Sequence, residues 1–430
     1  MKAFCYILFI ALSPALINIS GYSQGCGNDH KNGTNNPSCG CRTCPGDPFD
    51  PYTGNESRAI MDLEIWGGTG EHQLTWMRYG NSRNSYIKNR FGSAHRWNFS
   101  YNYNMIDQGT DQQGNAQIFI HYPEGGSNVF THDANNPSIW LPVSGVGKRL
   151  FQQGNNFYLQ MLNGFRYRFE KLTNPSGYSY YQLQDFKDSY QNLYVLTYDK
   201  SNRLQRITEP AGRYLQITYS TVNDNPNIRT DVATNDGRSV HYTYDVYTDS
   251  LRDWVRLIAV NYGDGTKALY TYSQKDPGVR PRVEHAIDPR YTGKDGNMIV
   301  KYNPDVSAGF IQEERNGVTG ELMATLFAGS DDRRVCYPNG RTEHYYMPRS
   351  LDGRLKEFTD GLGRKTVYNY DMGGNGFINS EKDALGRVTS YKKLFMIIPL
   401  KLLTPDGSKE SWTRDNLDLV LTHTDELRIC

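Results

Sequence analysis

Bulky and polar residues take turns along most of this chain. In Ser100-Tyr101-Asn102-Tyr103-Asn104-Met105 a large side chain fills every second place. Phe165-Arg166-Tyr167-Arg168-Phe169 repeats the pattern, with two arginines on the opposite face. Successive side chains of a strand point to opposite faces, so a period of two predicts half-buried β-strands. The phase returns at Tyr194, Leu196 and Tyr198, at Leu215, Ile217 and Tyr219, and at Val240, Tyr242 and Tyr244. It returns again at Tyr270 and Tyr272, and at Thr366, Tyr368 and Tyr370. Beyond Ser23 no stretch carries an apolar stripe of helical period over three turns. The expected fold is all-β, made of consecutive antiparallel hairpins.

Turn signals keep step with the strands. Asn235-Asp236-Gly237-Arg238, Gly263-Asp264-Gly265-Thr266, Pro338-Asn339-Gly340-Arg341, Leu351-Asp352-Gly353-Arg354 and Pro405-Asp406-Gly407-Ser408 each sit ahead of or between strand patterns. Asn-Gly and Asp-Gly suit turns that need a positive φ. Gly340, Gly363, Gly386 and Gly407 are separated by 23, 23 and 21 residues. About twenty residues accommodate two short strands and two turns, so each unit is one hairpin.

Composition narrows the class. The 430 residues carry 47 Lys+Arg against 46 Asp+Glu, a net charge of +1 that lacks the basic excess of a nucleic-acid binder. Thirteen per cent aromatics, with 32 Tyr and 41 Gly, favour short strands and tight turns and argue against disorder. Residues 1–23 read as a cleaved export signal: Lys2, the mainly apolar Ala3 to Ile19, then Gly21-Tyr22-Ser23 before Gln24. A transmembrane anchor needs about 20 apolar residues, and Pro14 interrupts the run. Residues 24–50 form an irregular leader holding Cys26, Cys39, Cys41 and Cys44, with His30 among them. After export these four are disulfide candidates; zinc ligation and unpaired thiols are the alternatives. The nine histidines are scattered singly, and HExxH, GxSxG and P-loop motifs are absent. Glu313-Glu314 and Asp331-Asp332 are adjacent acids that a strand sends to opposite faces, unlike the facing carboxylates of a glycosidase. Neither enzymatic activity nor a cofactor is expected.

Tyr198-Asp199-Lys200-Ser201-Asn202-Arg203-Leu204, followed by Pro210-Ala211-Gly212-Arg213 and Tyr219, resembles the YD repeat of the Rhs family. Asn202 stands where that repeat usually has Gly. Asp360-Gly361-Leu362-Gly363-Arg364, ending in Tyr370-Asp371, and Asp383-Ala384-Leu385-Gly386-Arg387 match more closely. Asp50-Pro51-Tyr52-Thr53-Gly54-Asn55, Asp62-Leu63 and Leu74-Thr75-Trp76-Met77-Arg78-Tyr79 are similar to the segment that opens many Rhs shells. The resemblance implies a hairpin strip wound into part of a hollow shell, with an opening β domain over 51–184 and repeats over 185–430. In each repeat the Asp is expected to cap the turn, the Gly to supply its geometry and the Arg to lie across neighbouring strands. Some relatives release a C-terminal toxin by self-cleavage near a DPxGL-type motif; no such motif follows the repeats here, so that activity is not carried over.

The expected function is that of an exported, non-enzymatic structural or interaction protein, secreted or at the cell surface. Cell contact and toxin delivery are the implied settings, and an encapsulated polypeptide is the implied cargo. The alternative is a carbohydrate-binding module that stacks cell-surface glycans on Trp66, Trp76, Trp97 or Trp140. Near the end, Lys392 to Leu403 reads KKLFMIIPLKLL, without the Gly turn or Asp of the repeat. This is expected to mark an interrupted copy of a longer shell protein.

Overall fold

The computed structural model describes residues 49–426 outside the segments 51–53, 68–69, 71, 84–96, 135, 137, 143–147, 162, 174–178, 223–224, 274–278, 291–295, 304–309, 349–350, 352–353, 371–377, 394–398, 404–408 and 415–419. Side chains are not described at 49–50, 173, 179, 221–229 and 391–426. Among the described residues there is no α-helix, in keeping with the two-residue period. The export signal, Cys26, Cys39, Cys41, Cys44 and Asp371 lie outside the described residues.

Two sheets divide the chain. The smaller has four strands in sequence order, Phe49–Asp50, Asn55–Ile65, Leu74–Asn81 and Asn98–Phe99. Every later strand, from Asn104–Thr110 to Val420–Glu426, pairs antiparallel with the next. The first eight of these close a barrel. Strand Ser179–Lys187 does this by dividing one edge between two partners. Tyr180 and Tyr181 pair with Ile106 and Met105 of the barrel's first strand, whereas Asp185, Phe186 and Lys187 pair with Val195, Tyr194 and Leu193. From that fork the sheet leaves the barrel and continues as a wall of hairpins. The stretch 51–184 thus contains three of the four strands of the small sheet and nearly all of the barrel.

Alternation sorts the side chains as the pleat requires. In strand Lys267–Tyr272 exposure strictly alternates, with Ala268, Tyr270 and Tyr272 inward. Ile118, Ile120, Phe130, Leu150, Phe157, Leu159 and Phe169 fill the barrel, and Ile207, Leu215, Val232, Val240, Leu257 and Val300 continue the core along the wall. Because successive strands run in opposite directions, the tight turns at 209–213, 234–238, 262–266, 337–341, 360–364 and 383–387 share one rim.

The apolar run expected to interrupt the repeats does not break the sheet. Pro399–Leu403 is a strand that pairs with Val388–Lys393 on one side and Lys409–Arg414 on the other. Backbone pairing therefore persists without the Gly and Asp of the motif, with one register shift between Lys392 and Lys393.

Candidate functional site

The repeated acidic turn has one geometry. The Asp199 carboxylate accepts from the Ser201 and Arg203 amides at 2.8 and 2.9 Å and from Arg203 Nε at 2.7 Å. Asp360 does the same with the amides of Leu362 and Arg364 and with Arg364 Nε at 2.6 Å. Asp383 likewise binds the Leu385 and Arg387 amides and Arg387 Nε at 2.6 Å. The expectation that these arginines make charge-assisted bonds across neighbouring strands is corrected: each pairs with the aspartate four residues earlier, while Arg203 also lies over the Tyr219 ring of a neighbouring strand at 4.4 Å. Gly212, Gly363 and Gly386 take φ of 86°, 79° and 81°, and Asn202 fills the same place at 55°. Asn is among the few side chains that tolerate this left-handed conformation. At Glu209 burial raises the carboxyl, but hydrogen bonds from Arg213 outweigh it and hold it at about 2. The Asp360 carboxyl lies below its ordinary value chiefly through the Arg364 hydrogen bond.

The tyrosines perform a separate task. Each of five phenols donates to a main-chain carbonyl of an earlier strand or its approach: Tyr198 to Leu183, Tyr219 to Leu204 at 2.9 Å, Tyr272 to Leu257 at 2.6 Å, Tyr302 to Val283 at 2.7 Å and Tyr370 to Leu355 at 2.7 Å. Each carbonyl lies two residues before the point where ladder pairing stops. The last pairs are formed by Asp185, Arg206, Ala259, His285 and Glu357. Neighbouring strands splay there, and the phenol supplies the donor that the missing amide would have provided. Four of these tyrosines also face a bulge, where the next strand inserts one extra residue: Gln205 opposite Tyr198, Glu284 opposite Tyr272, Gln312 opposite Tyr302 and Asn379 opposite Tyr370. Bulges bend a strand and increase its twist. In these five places one hydroxyl therefore serves the backbone where strand pairing stops.

The curved wall holds the small sheet against its inner face. Arg78, fully buried, donates through Nε to Asp62 Oδ2 at 2.9 Å and through Nη2 to Asp288 Oδ2 at 3.1 Å. The same guanidinium reaches the hydroxyls of Tyr262 and Tyr270 and lies 5.1 Å from the Trp97 ring centre. Tyr242 and Tyr262 donate to Asp62 at 2.5 and 2.9 Å, Trp76 Nε1 donates to Tyr242 at 2.9 Å, and Trp97 Nε1 to Tyr272 at 2.8 Å. Burial pulls the Arg78 guanidinium down, and Asp62, Tyr270 and Asp288 together more than offset it, so it stays charged. A buried charge cluster survives only with such complete pairing. Backbone contact adds to it: Ile311 N donates to Gly54 O at 2.9 Å, and Gly54 lies against the Phe310 ring so closely that a Cβ has no room. Arg58 and Glu56, both fully buried, form a further ion pair at 2.6 Å.

The sequence assigned no role to Arg78 or Asp288, although a signal for Arg78 was present. Leu74, Trp76 and Arg78 share one phase of an alternating strand, which puts a charge on the apolar face. Trp76, Trp97 and Trp140 are buried and so unable to stack on a sugar; only Trp66 of the four is exposed. His241 Nδ1 lies 2.6 Å from Asp231 and His285 Nε2 lies 2.7 Å from Asn297. Glu313 pairs with Arg315 at 2.8 Å while Glu314 is buried, so the two acids do diverge. No group of three or more His, Cys, Asp or Glu among the described residues is arranged to hold a metal. No helix among them is long and apolar enough to cross a membrane.

These features define an all-β protein of repeated hairpins whose sheet packs against a smaller sheet of the same chain. No family model matches the sequence. No curated protein matches it. Among solved structures, TcdB2-TccC3-Cdc42 is similar over 88% of this chain and 29% of that one, at 8% identity and a TM-score of 0.34. The Photorhabdus luminescens Tc holotoxin pore is similar over 87% of this chain and 23% of that one, at 9% identity and a TM-score of 0.23. A porin-like protein from Bacteroides uniformis aligns with 75% of this chain and 95% of its own, at 9% identity and a TM-score of 0.16. The chain spans under a third of the length of both Tc proteins.

Proposed function

We propose that this chain is an exported, non-enzymatic wall protein of the Rhs type, whose hairpin sheet forms part of a shell around polypeptide. The observation that carries the reading is the inner sheet. A bulged hairpin sheet that binds a second β-sheet through phenols, a guanidinium and backbone amides is suited to enclosing protein. Export rests on the sequence of residues 1–23. Cell contact or toxin delivery is the setting that the YD-like repeats favour. With three of the four candidate tryptophans buried, the glycan-binding alternative has lost its main support.

The test uses the full chain with an unstructured reporter peptide fused after Cys430. Enclosure predicts that the reporter resists protease while the wall is folded and is digested once it is denatured. Digestion at the rate of the free peptide under native conditions contradicts an enclosing role. N-terminal sequencing of exported material tests the leader, with Gln24 as the expected first residue.

A further inference from the structure

Inside the eight-stranded barrel lies a polar cluster that belongs neither to the turns nor to the inner-sheet junction. Asn128 is in strand Ser127–His132 and Lys148 begins strand Lys148–Gln153; the short strand Ile139–Pro142 separates them in the sheet. Both side chains are withdrawn from water, Asn128 at 0% exposure and Lys148 at 8%. Lys148 Nζ lies 3.3 Å from Asn128 Oδ1 and 3.7 Å from the centre of the Tyr122 ring. Asn128 Nδ2 is buried and meets no hydrogen-bond acceptor among the described residues. Glu124 occupies the turn between strands Ala116–His121 and Ser127–His132. Its carboxyl is pushed up by burial and drawn back by the charge of Lys148.

A primary amine, a carboxamide and a poorly solvated carboxyl have thus been gathered in a β-rich, aromatic-lined interior. Burial favours the uncharged, nucleophilic form of an amine. A carboxyl that feels the charge of the ammonium can take a proton from it and return it later. The unpartnered Nδ2 is the atom that departs if the amine attacks the amide carbon.

We propose that Lys148 and Asn128 are joined by an intramolecular isopeptide bond, with Glu124 carrying the proton. The Lys148 ammonium gives one proton to the Glu124 carboxylate, and neutral Nζ attacks Asn128 Cγ. The Nζ–Cγ bond forms, a second proton moves from Nζ to Nδ2, and the Cγ–Nδ2 bond breaks. Ammonia leaves and takes the proton held by Glu124, so an ammonium and an amide become a substituted amide and an ammonium ion. No atom is oxidised or reduced. The product removes a buried charge and the unsatisfied amide nitrogen together. It also ties the barrel across Ile139–Pro142 with a link that outlasts its hydrogen bonds.

Mass spectrometry of the purified full chain tests this. The bond predicts a loss of about 17 Da, one ammonia. Cyclisation of an N-terminal Gln24 gives the same loss, so the linkage is read from peptides. Trypsin with an Asp-specific protease cuts at Asp133, between the two residues, and joined fragments carrying Asn128 and Lys148 are expected. Lys148→Arg should restore separate fragments. Glu124→Gln, which keeps side-chain volume, should fold with an unchanged near-ultraviolet spectrum and form the bond at least ~100-fold more slowly. Separate fragments from the folded wild type, with Asn128 either intact or deamidated, overturn the proposal. Full cross-linking in Glu124→Gln overturns the assignment of the proton carrier.

Discussion

Replacing Tyr272 by Phe removes one oxygen atom and orphans two buried groups. The hydroxyl donates to Leu257 O at 2.6 Å and accepts from Trp97 Nε1 at 2.8 Å, and the residue is only 7% exposed. Each buried polar group left unsatisfied costs about 1–3 kcal/mol. The phenol's own desolvation is relieved in exchange, so the net loss should be about 2–4 kcal/mol. Tyr370→Phe is the internal control. Tyr370 binds a single carbonyl, that of Leu355 at 2.7 Å, and is half-buried, so its loss should cost about 1 kcal/mol. Urea unfolding followed by tryptophan fluorescence gives both values, provided the slopes match that of the wild type. Trp97 reports directly on the broken contact as well. If Tyr272→Phe proves no more destabilising than Tyr370→Phe, the phenols do not compensate the splayed backbone in the way described.

Gly363→Ala should cost about 1–2 kcal/mol in the same assay, since φ is 79° and an added Cβ meets nothing within 4 Å, leaving backbone strain as the only penalty. Gly363→Asn should recover part of it, as Asn202 does naturally at φ 55°. Gly54→Ala should be far more damaging, because its φ of 65° is combined with a clash against the Phe310 ring; a thermal midpoint within a degree or two of wild type would contradict the close approach. Burial pushes the His121 imidazole down from 6.5 to about 3. Below pH 6.5 the unfolded chain therefore takes up a proton that the folded chain refuses, and stability falls with pH until about 3. The loss between pH 7 and pH 5 should be about 2 kcal/mol, and His121→Gln should flatten that part of the pH profile relative to wild type.

Much of the wall was legible because its rules are local. The two-residue period placed Tyr242, Tyr270 and Tyr272 inward, where they lie buried. Closure of the barrel was not legible, since strand Ser179–Lys187 reads as an ordinary strand and its fork depends on which strands reach its edge. The role of the arginine in each repeat was misread for a related reason: sequence places Arg364 beside a turn but does not say which acid it meets. Arg78 could have been singled out by its phase, whereas Asp288 could not. It lies 210 residues away, and only the winding of the wall brings it into contact. The strand Pro399–Leu403 shows the converse: pairing with its neighbours preserves the sheet where the motif is lost.

That the wall wraps around its own inner sheet is tested most directly by a double-mutant cycle on Arg78→Met and Asp288→Asn, with stability measured for the wild type, both single variants and the double. Contact across 210 residues through a 3.1 Å hydrogen bond in a buried cluster predicts a coupling energy of at least about 1 kcal/mol. Residues that do not touch add within about 0.3–0.5 kcal/mol. Coupling above that limit supports the enclosed sheet, and additivity within it contradicts the account.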